Sequence, residues 1–255
     1  MTPEFGGGAA RTAIVTGAGR RIGHALAEAL GQDGWTLLLH CHQSAEGAEA
    51  LRFRFGRGRV VVADLAEPDA PDRIVAALDG LPPPALLVNN ASRFDLDGFD
   101  DMTVAAWDRH MAINARAPAF LTRAFADAVP AGAGGLVVNL LDAKLANPNP
   151  DFFSYTVSKM AFAGMAEIAA RVLAPRGIRM VGIAPSVTLV SGPQTRESFD
   201  AVHRINALGR GVAVDDLVAA LRFAVASPVL TGQTITLDAG QRFLRLPRDV
   251  QFMEP

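Results

Sequence analysis

Short β-rich runs alternate with amphipathic helical patterns along almost the whole chain. That alternation narrows the fold to a parallel sheet covered by helices on both faces. The first run is residues 12–15. It passes through Thr16, Gly17, Ala18 and Gly19 into a helical pattern with Ile22, Leu26, Ala27 and Leu30 on one face, and Gly31 and Gly34 read as its stop. Further strands are predicted at 35–40, 60–63, 86–88, 136–140, 179–183 and 234–237. Helices are predicted over about 72–78, 104–129 and 154–173. An irregular stretch, rich in Ser, Thr, Gly and Pro, runs from Pro185 to about Thr195 and leads into short helices. No linker or repeat divides the chain. Residues 11–243 read as one α/β domain, residues 1–10 as a disordered lead-in, and 244–255 as a tail of the same domain.

Bulk properties exclude several classes of partner. A net charge of -2 and a pI of about 6.2 make no electrostatic case for nucleic acid or an anionic membrane. No apolar run approaches the length of a membrane span. The single cysteine, Cys41, excludes an intrachain disulfide and fits a reducing compartment. The N-terminus carries Glu4 and a Gly-rich stretch to Gly8, without the charged and apolar regions of a signal peptide. The cytoplasm is the expected location.

Gly17, Gly19 and Gly23 sit where the first strand turns into a helix. The spacing is one residue longer than G-x-G-x-x-G, but the physics is the same. Small residues let backbone approach a pyrophosphate, and a helix N-terminus offers free N–H groups and a positive dipole end. NAD sites place an acid at the end of the second strand, for the ribose 2′-hydroxyl. Here that segment reads His40, Cys41, His42, Gln43, Ser44, and Arg20 and Arg21 lie inside the glycine loop. A 2′-phosphate would find cation, hydroxyl and imidazole, so NADP(H) is expected over NAD(H).

The chain has one tyrosine, Tyr155, and only two lysines, and Lys159 lies four residues after Tyr155. On a helix they share a face. An adjacent ammonium favours phenolate, so Tyr155 is expected to be an acid with a pKa below its ordinary value near 10. Pro118 has no N–H and cannot bond the Asn114 carbonyl, so a kink is expected there.

With these residues in this order, residues 11–243 resemble the short-chain dehydrogenase/reductase family. Asp64 resembles its adenine contact, Asn89, Asn90 and Ala91 its N-N-A-G motif with Ser92 replacing the Gly, and Asn114 its catalytic Asn. Two departures point to one branch. The family's Ser thirteen residues before the Tyr is Asp142 here, and its second loop glycine is Arg21. Both resemble the pteridine reductases and dihydromonapterin reductases. Residues 89–94 (N-N-A-S-R-F), 114–118 (N-A-R-A-P), 39–44 (L-H-C-H-Q-S) and 183–186 (I-A-P-S) do so too.

The resemblance implies a doubly wound, seven-stranded parallel sheet and commonly a tetramer. Its implied catalytic residues are Asn114, whose carbonyl freed by Pro118 would hold a water beside Lys159 that feeds protons to Tyr155, and Asp142, Tyr155 and Lys159 themselves. NADP(H) would contact Gly17, Gly19, Arg20, Arg21, Ile22, His42, Ser44, Asp64, Leu65, Asn90, Ala91, Tyr155, Lys159, Pro185, Ser186 and Thr188. A small-molecule substrate would meet Ser92, Phe94, Asp142 and Tyr155, with Phe94 stacking on a flat heterocycle and no metal. Arg21 is expected to neutralise cofactor phosphates or contact the pterin. Asp142 would repel charge developing on a carbonyl oxygen and suits N–H groups, or serves as a proton source to ring nitrogen. A carbonyl reductase and a non-catalytic dinucleotide-binding protein remain alternatives. Lys144 and the tail beyond Phe243 match nothing in the branch.

Overall fold

The computed structural model describes residues 10–191 and 194–253; the lead-in expected over 1–10 lies almost wholly outside them. Seven strands form one parallel sheet: β1 (Thr12–Thr16), β2 (Thr36–Cys41), β3 (Gly58–Val62), β4 (Pro84–Asn89), β5 (Gly135–Leu140), β6 (Ile178–Pro185) and β7 (Gln233–Leu237). Their spatial order is β3-β2-β1-β4-β5-β6-β7, so the order reverses between β1 and β4. Every residue of β1, β2, β4 and β5 is buried, as a sheet covered on both faces requires.

Helices α1 (Arg21–Gln32), α2 (Ala45–Phe55) and α8 (Val214–Ala226) cover one face, burying Leu26, Leu30, Leu51, Leu217 and Leu221. Helices α3 (Ala70–Ala76), α5 (Ala117–Ala128) and α6 (Phe153–Leu173) cover the other, through Ile74, Leu121, Phe125, Ala166 and Ala170. A short α7 (Arg196–Val202) follows the irregular stretch after β6.

Three local expectations change. Helix α2 is absent from the sequence reading because Glu46, Glu49, Arg52 and Arg54 swamp a buried face of only Ala48 and Leu51. Gly31 does not stop α1; it lies inside the helix, where a β-carbon would stand 2.4 Å from the Phe55 ring, and the turn comes at Gly34 with φ +92°. The long helix expected over 104–129 is α4 (Val104–Met111), a π-helical turn (Ala112–Arg116) and α5. Pro118 removes a donor to Asn114, and the backbone takes up the mismatch in that wider turn.

Candidate active site

The C-terminal ends of the strands open into a cleft of ≈ 820 Å³ at the point where strand order reverses. Its first half is built by the β1–α1 turn. Gly17 is left-handed at φ +67°, and a β-carbon there would stand 2.9 Å from Asn90 Nδ2; one on Gly19 would stand 1.9 Å from the Ser44 carbonyl oxygen. Asn90 Nδ2 donates to the Thr16 carbonyl at 2.8 Å. Thr16 Oγ1 accepts from the Asn90 and Ala91 N–H groups at 2.9 and 3.0 Å. Buried His40 reaches across the same turn. Its Nδ1 accepts from the Gly17 N–H at 3.3 Å and its Nε2 contacts the Ala63 carbonyl oxygen at 3.1 Å. Burial pushes the His40 imidazole down to about 4, so it is neutral and fixed as the Nε2–H tautomer by those two partners.

Helix α1 begins with no side chain capping its first turn, which leaves N–H groups there open to an anion. Arg20, Ile22, His42, Gln43 and Ser44 line the cleft near it, and no carboxylate ends β2. The donor set fits a dinucleotide with a 2′-phosphate. Asp64 accepts the Ala66 N–H at 2.9 Å and pairs with Arg109 at 2.9 Å, with His42 at 3.9 Å; the Ala66 bond leads in holding its carboxyl below the ordinary value. Leu65, Pro185, Ser186 and Thr188 also line the cleft.

Arg21 has partners within the chain that the sequence does not show. It occupies the left-handed region at φ 56°, as the glycine it replaces would. Its guanidinium donates to the Val190 carbonyl at 2.6 Å and to Ser191 Oγ at 3.2 Å. It ties the glycine loop to the segment after β6 and lines the cleft at that point.

The second half gathers around Tyr155. Both Tyr155 and Lys159 are buried on α6, one turn apart. The Tyr155 hydroxyl donates to Asp142 Oδ2 at 2.6 Å, and Lys159 Nζ donates to the Leu140 carbonyl at 2.8 Å. The expected lowering of the Tyr155 pKa is overturned: burial, then the Asp142 carboxylate beside it, hold the phenol well above 10. Burial likewise raises the Asp142 carboxyl, against the Tyr155 bond, the Lys144 N–H and the Lys159 charge. It brings Lys159 down to about 8, opposed by Asp142. The sequence reading weighed one charged neighbour and could not see that the carboxylate stands closer to the phenol than the ammonium does.

Asn114 is nearly inaccessible, and its side chain has no group left for substrate. Its Oδ1 accepts from the Arg93 N–H at 2.8 Å and from Ser92 Oγ at 3.1 Å. Its Nδ2 donates to the Arg93 carbonyl and to Ser158 Oγ, both at 2.9 Å. The side chain therefore positions the Ser92–Phe94 segment, and the catalytic part expected of Asn114 rests on its carbonyl in the π-helical turn, to which Pro118 offers no N–H.

Phe94 lines the cleft, stacked on Phe152 (4.2 Å between centroids, 17°) and edge-on to Tyr155 (4.7 Å, 83°). Two unplaced features of the sequence also arrive here. Lys144 and the tail residues Leu246, Asp249, Val250 and Gln251 line the same cleft. No spacing rule could have joined them, since Lys144 and Asp249 are 105 residues apart. Among the described residues no group of His, Cys, Asp and Glu could hold a metal ion, and no helix is long and apolar enough to cross a membrane.

A glycine turn thus stands at the strand-order reversal, with a buried Tyr and Lys one turn apart across the cleft, and the short chain dehydrogenase family model matches residues 11–200. The chain belongs to the short-chain dehydrogenase/reductase family. It is an oxidoreductase of that family. FolM alternative dihydrofolate reductase 1 of Brucella canis, solved complexed with NADP, is 37% identical with a TM-score of 0.86 over 91% of this chain and 94% of that one. Pteridine reductase 1 of Leishmania tarentolae is 28% identical over 92% of this chain and 98% of its own length. Human dehydrogenase/reductase SDR family member 4 is 30% identical over 90% of this chain and 87% of its own.

Proposed function

We propose that this short-chain reductase uses NADPH to reduce a pterin-like heterocycle of dihydropterin or dihydrofolate type, with Tyr155 as proton donor. The observation that carries this reading is the 2.6 Å bond from the Tyr155 hydroxyl to Asp142. Where a carbonyl reductase would offer a hydroxyl, the site offers a carboxyl. Likeness to the Brucella reductase and to pteridine reductase 1 supports the same substrate class. NADPH supplies the hydride when bound. Gly17, Gly19 and Ile22 would hold its diphosphate side, with Arg20, His42 and Ser44 at the 2′-phosphate. Asp64 and Leu65 would meet the adenine. Asn90, Ala91, Lys159, Pro185, Ser186 and Thr188 would meet the rest.

The chain's own part is the proton. Burial favours the neutral Asp142 carboxyl. When Asp142 takes up a proton the 2.6 Å bond reverses: its O–H donates to the Tyr155 oxygen and frees the phenol O–H for the substrate. As a C=N bond accepts hydride at carbon, the Tyr155 O–H breaks and an N–H forms at nitrogen. The Asp142 proton then passes to the Tyr155 oxygen, leaving a carboxylate that solvent reprotonates. Ser92 and Phe94 would flank the ring.

The test is NADPH oxidation with dihydrobiopterin, dihydromonapterin and dihydrofolate beside a ketone panel, for wild type and Asp142→Ser. The expected result is pterin turnover lost in the variant, with NADPH affinity kept and any ketone activity equal or higher. Undiminished pterin reduction by Asp142→Ser removes the role given to this residue. Ketone reduction alone, improved by the substitution, moves the assignment to a carbonyl reductase.

Residues 11–243 with the tail would work as one unit, assembled as a homotetramer. Val104, Phe120, Met160, Ile168 and Val172 leave an apolar surface on α4, α5 and α6 that a second copy would cover. Light scattering should give four times the 26.9 kDa chain mass; a monomer at micromolar concentration would refute the assembly.

A further inference from the structure

Lys144 follows Asp142 on a 310 turn (Ala143–Ala146), and its N–H donates to Asp142 Oδ1 at 2.8 Å. Its ammonium is almost wholly enclosed. It donates to the Asp151 carbonyl oxygen at 2.6 Å and to Asp249 Oδ2 at 3.2 Å, and lies 5.2 Å from the centre of the Phe152 ring. The Asp151 carboxylate in turn accepts from Arg248 Nε at 2.8 Å and from the Asp249 N–H at 2.6 Å. Two cations and two anions thus join three segments: the turn after β5, the entry to α6, and the end of the chain. Removing one partner from so enclosed a group leaves a charge uncompensated.

What this network holds is an aromatic wall. Phe152 is left-handed at φ 55°, a conformation that a bulky residue keeps only where its surroundings impose it. Lys144 grips the carbonyl just before it. Phe252 stacks on the Phe152 ring (5.9 Å, 16°), and Phe152 stacks on Phe94, whose edge meets Tyr155. The same segment lines the cleft with Leu246, Asp249, Val250 and Gln251.

We infer that Lys144 is a positioning residue and that residues 245–253 form a clasp locked by it through Asp151 and Asp249, which sets the wall and the Asp142 carboxyl that receive the substrate. The clasp decides which substrates fit, and it leaves the cofactor half untouched. It rests on the reductase reading only for the identity of the molecule that enters.

The experiment uses full-length Lys144→Met, Asp249→Asn, the double variant and Lys144→Arg, assayed with whichever dihydropterin or ketone the wild type turns over. KM should rise about 10-fold or more in each single variant, with a smaller change in kcat. NADPH affinity should stay within about 2-fold, and the double variant should be no worse than the worse single one, because both break one network. Lys144→Arg should recover part of the loss.

A readout without turnover is limited trypsin digestion, in which cleavage after Arg245 should be faster in both single variants. Unchanged KM, additive losses, unchanged cleavage, or a parallel loss of NADPH affinity would each overturn the clasp. Should Lys144→Met fail to fold, Asp249→Asn carries the same predictions from the tail side. A wild type that reduces ketones and no pterin would refute the substrate proposal, while the KM prediction stands on the ketone.

Discussion

On the β1 side of the cleft the chain builds a site mostly from backbone. Gly17, Gly19 and the open first turn of α1 follow one another within a few residues, and Thr16, His40 and Asn90 serve to hold that turn in shape. On the other side Phe94, Asp142, Lys144, Phe152, Tyr155 and Asp249 come from four separated parts of the chain, and side chains make every wall. A backbone site changes little with sequence, which suits a fixed cofactor. A side-chain site can be rebuilt without disturbing the sheet, which suits a variable substrate.

The two halves should therefore fail independently, and the largest separation is expected at Tyr155. Tyr155→Phe should lower kcat by about 100-fold or more, the usual scale for a lost general acid, with NADPH affinity near that of wild type. A variant with wild-type turnover would take Tyr155 out of the chemistry, and one that also lost NADPH would join the two halves.

The next effect belongs to the glycine turn. His40 is neutral in the fold, held at about 4 by burial, against an ordinary value of 6.5. Its contribution is complete above pH 6.5 and is lost as pH falls through 4, because the unfolded chain takes up the proton first; the loss amounts to roughly 3 kcal/mol at most. Denaturant midpoints should drop across that window, and His40→Asn should flatten the drop. An equal drop in the variant would place the acid sensitivity elsewhere.

A smaller effect separates cofactors. Arg20→Ala should weaken NADPH by about 10- to 150-fold, as expected for a charge-assisted bond of roughly 1.5–3 kcal/mol, and leave NADH and the substrate KM alone. Titration of both nucleotides into both proteins checks it; equal affinities in wild type would show that the acid-free end of β2 selects nothing.

The finest distinction lies within the substrate half. One tyrosine makes phenolate absorbance a report on Tyr155 alone. In the free protein it should stay protonated past pH 10. Asp142→Ser should bring ionisation to lower pH by removing the adjacent carboxylate. An unshifted titration would leave burial as the whole cause.

The sequence carried the β1 side almost intact, since the glycine turn, the missing acid after β2 and the alternation of strands and helices are local or periodic signals. It also carried the Tyr155–Lys159 pair, because four residues on a helix bring two side chains together wherever the helix packs. It missed α2, whose charged surface hides a two-residue buried face. It did not show that Arg21 binds the Val190 carbonyl, since only the folded position of the segment after β6 brings the two together. For Tyr155 it inferred the wrong direction of shift. Burial and the distance to a carboxylate set a pKa, and neither is a property of spacing. Lys144 and Asp249 show the limit most plainly: each was visible as a residue, but pairing across 105 positions exists only after β5, α6 and the tail have converged. Fold class and the Tyr155–Lys159 pairing follow from local pattern and periodicity. Which charges meet, how deeply they are buried, and which wall the substrate sees were decided by the tertiary structure, because electrostatics and packing depend on distances through space.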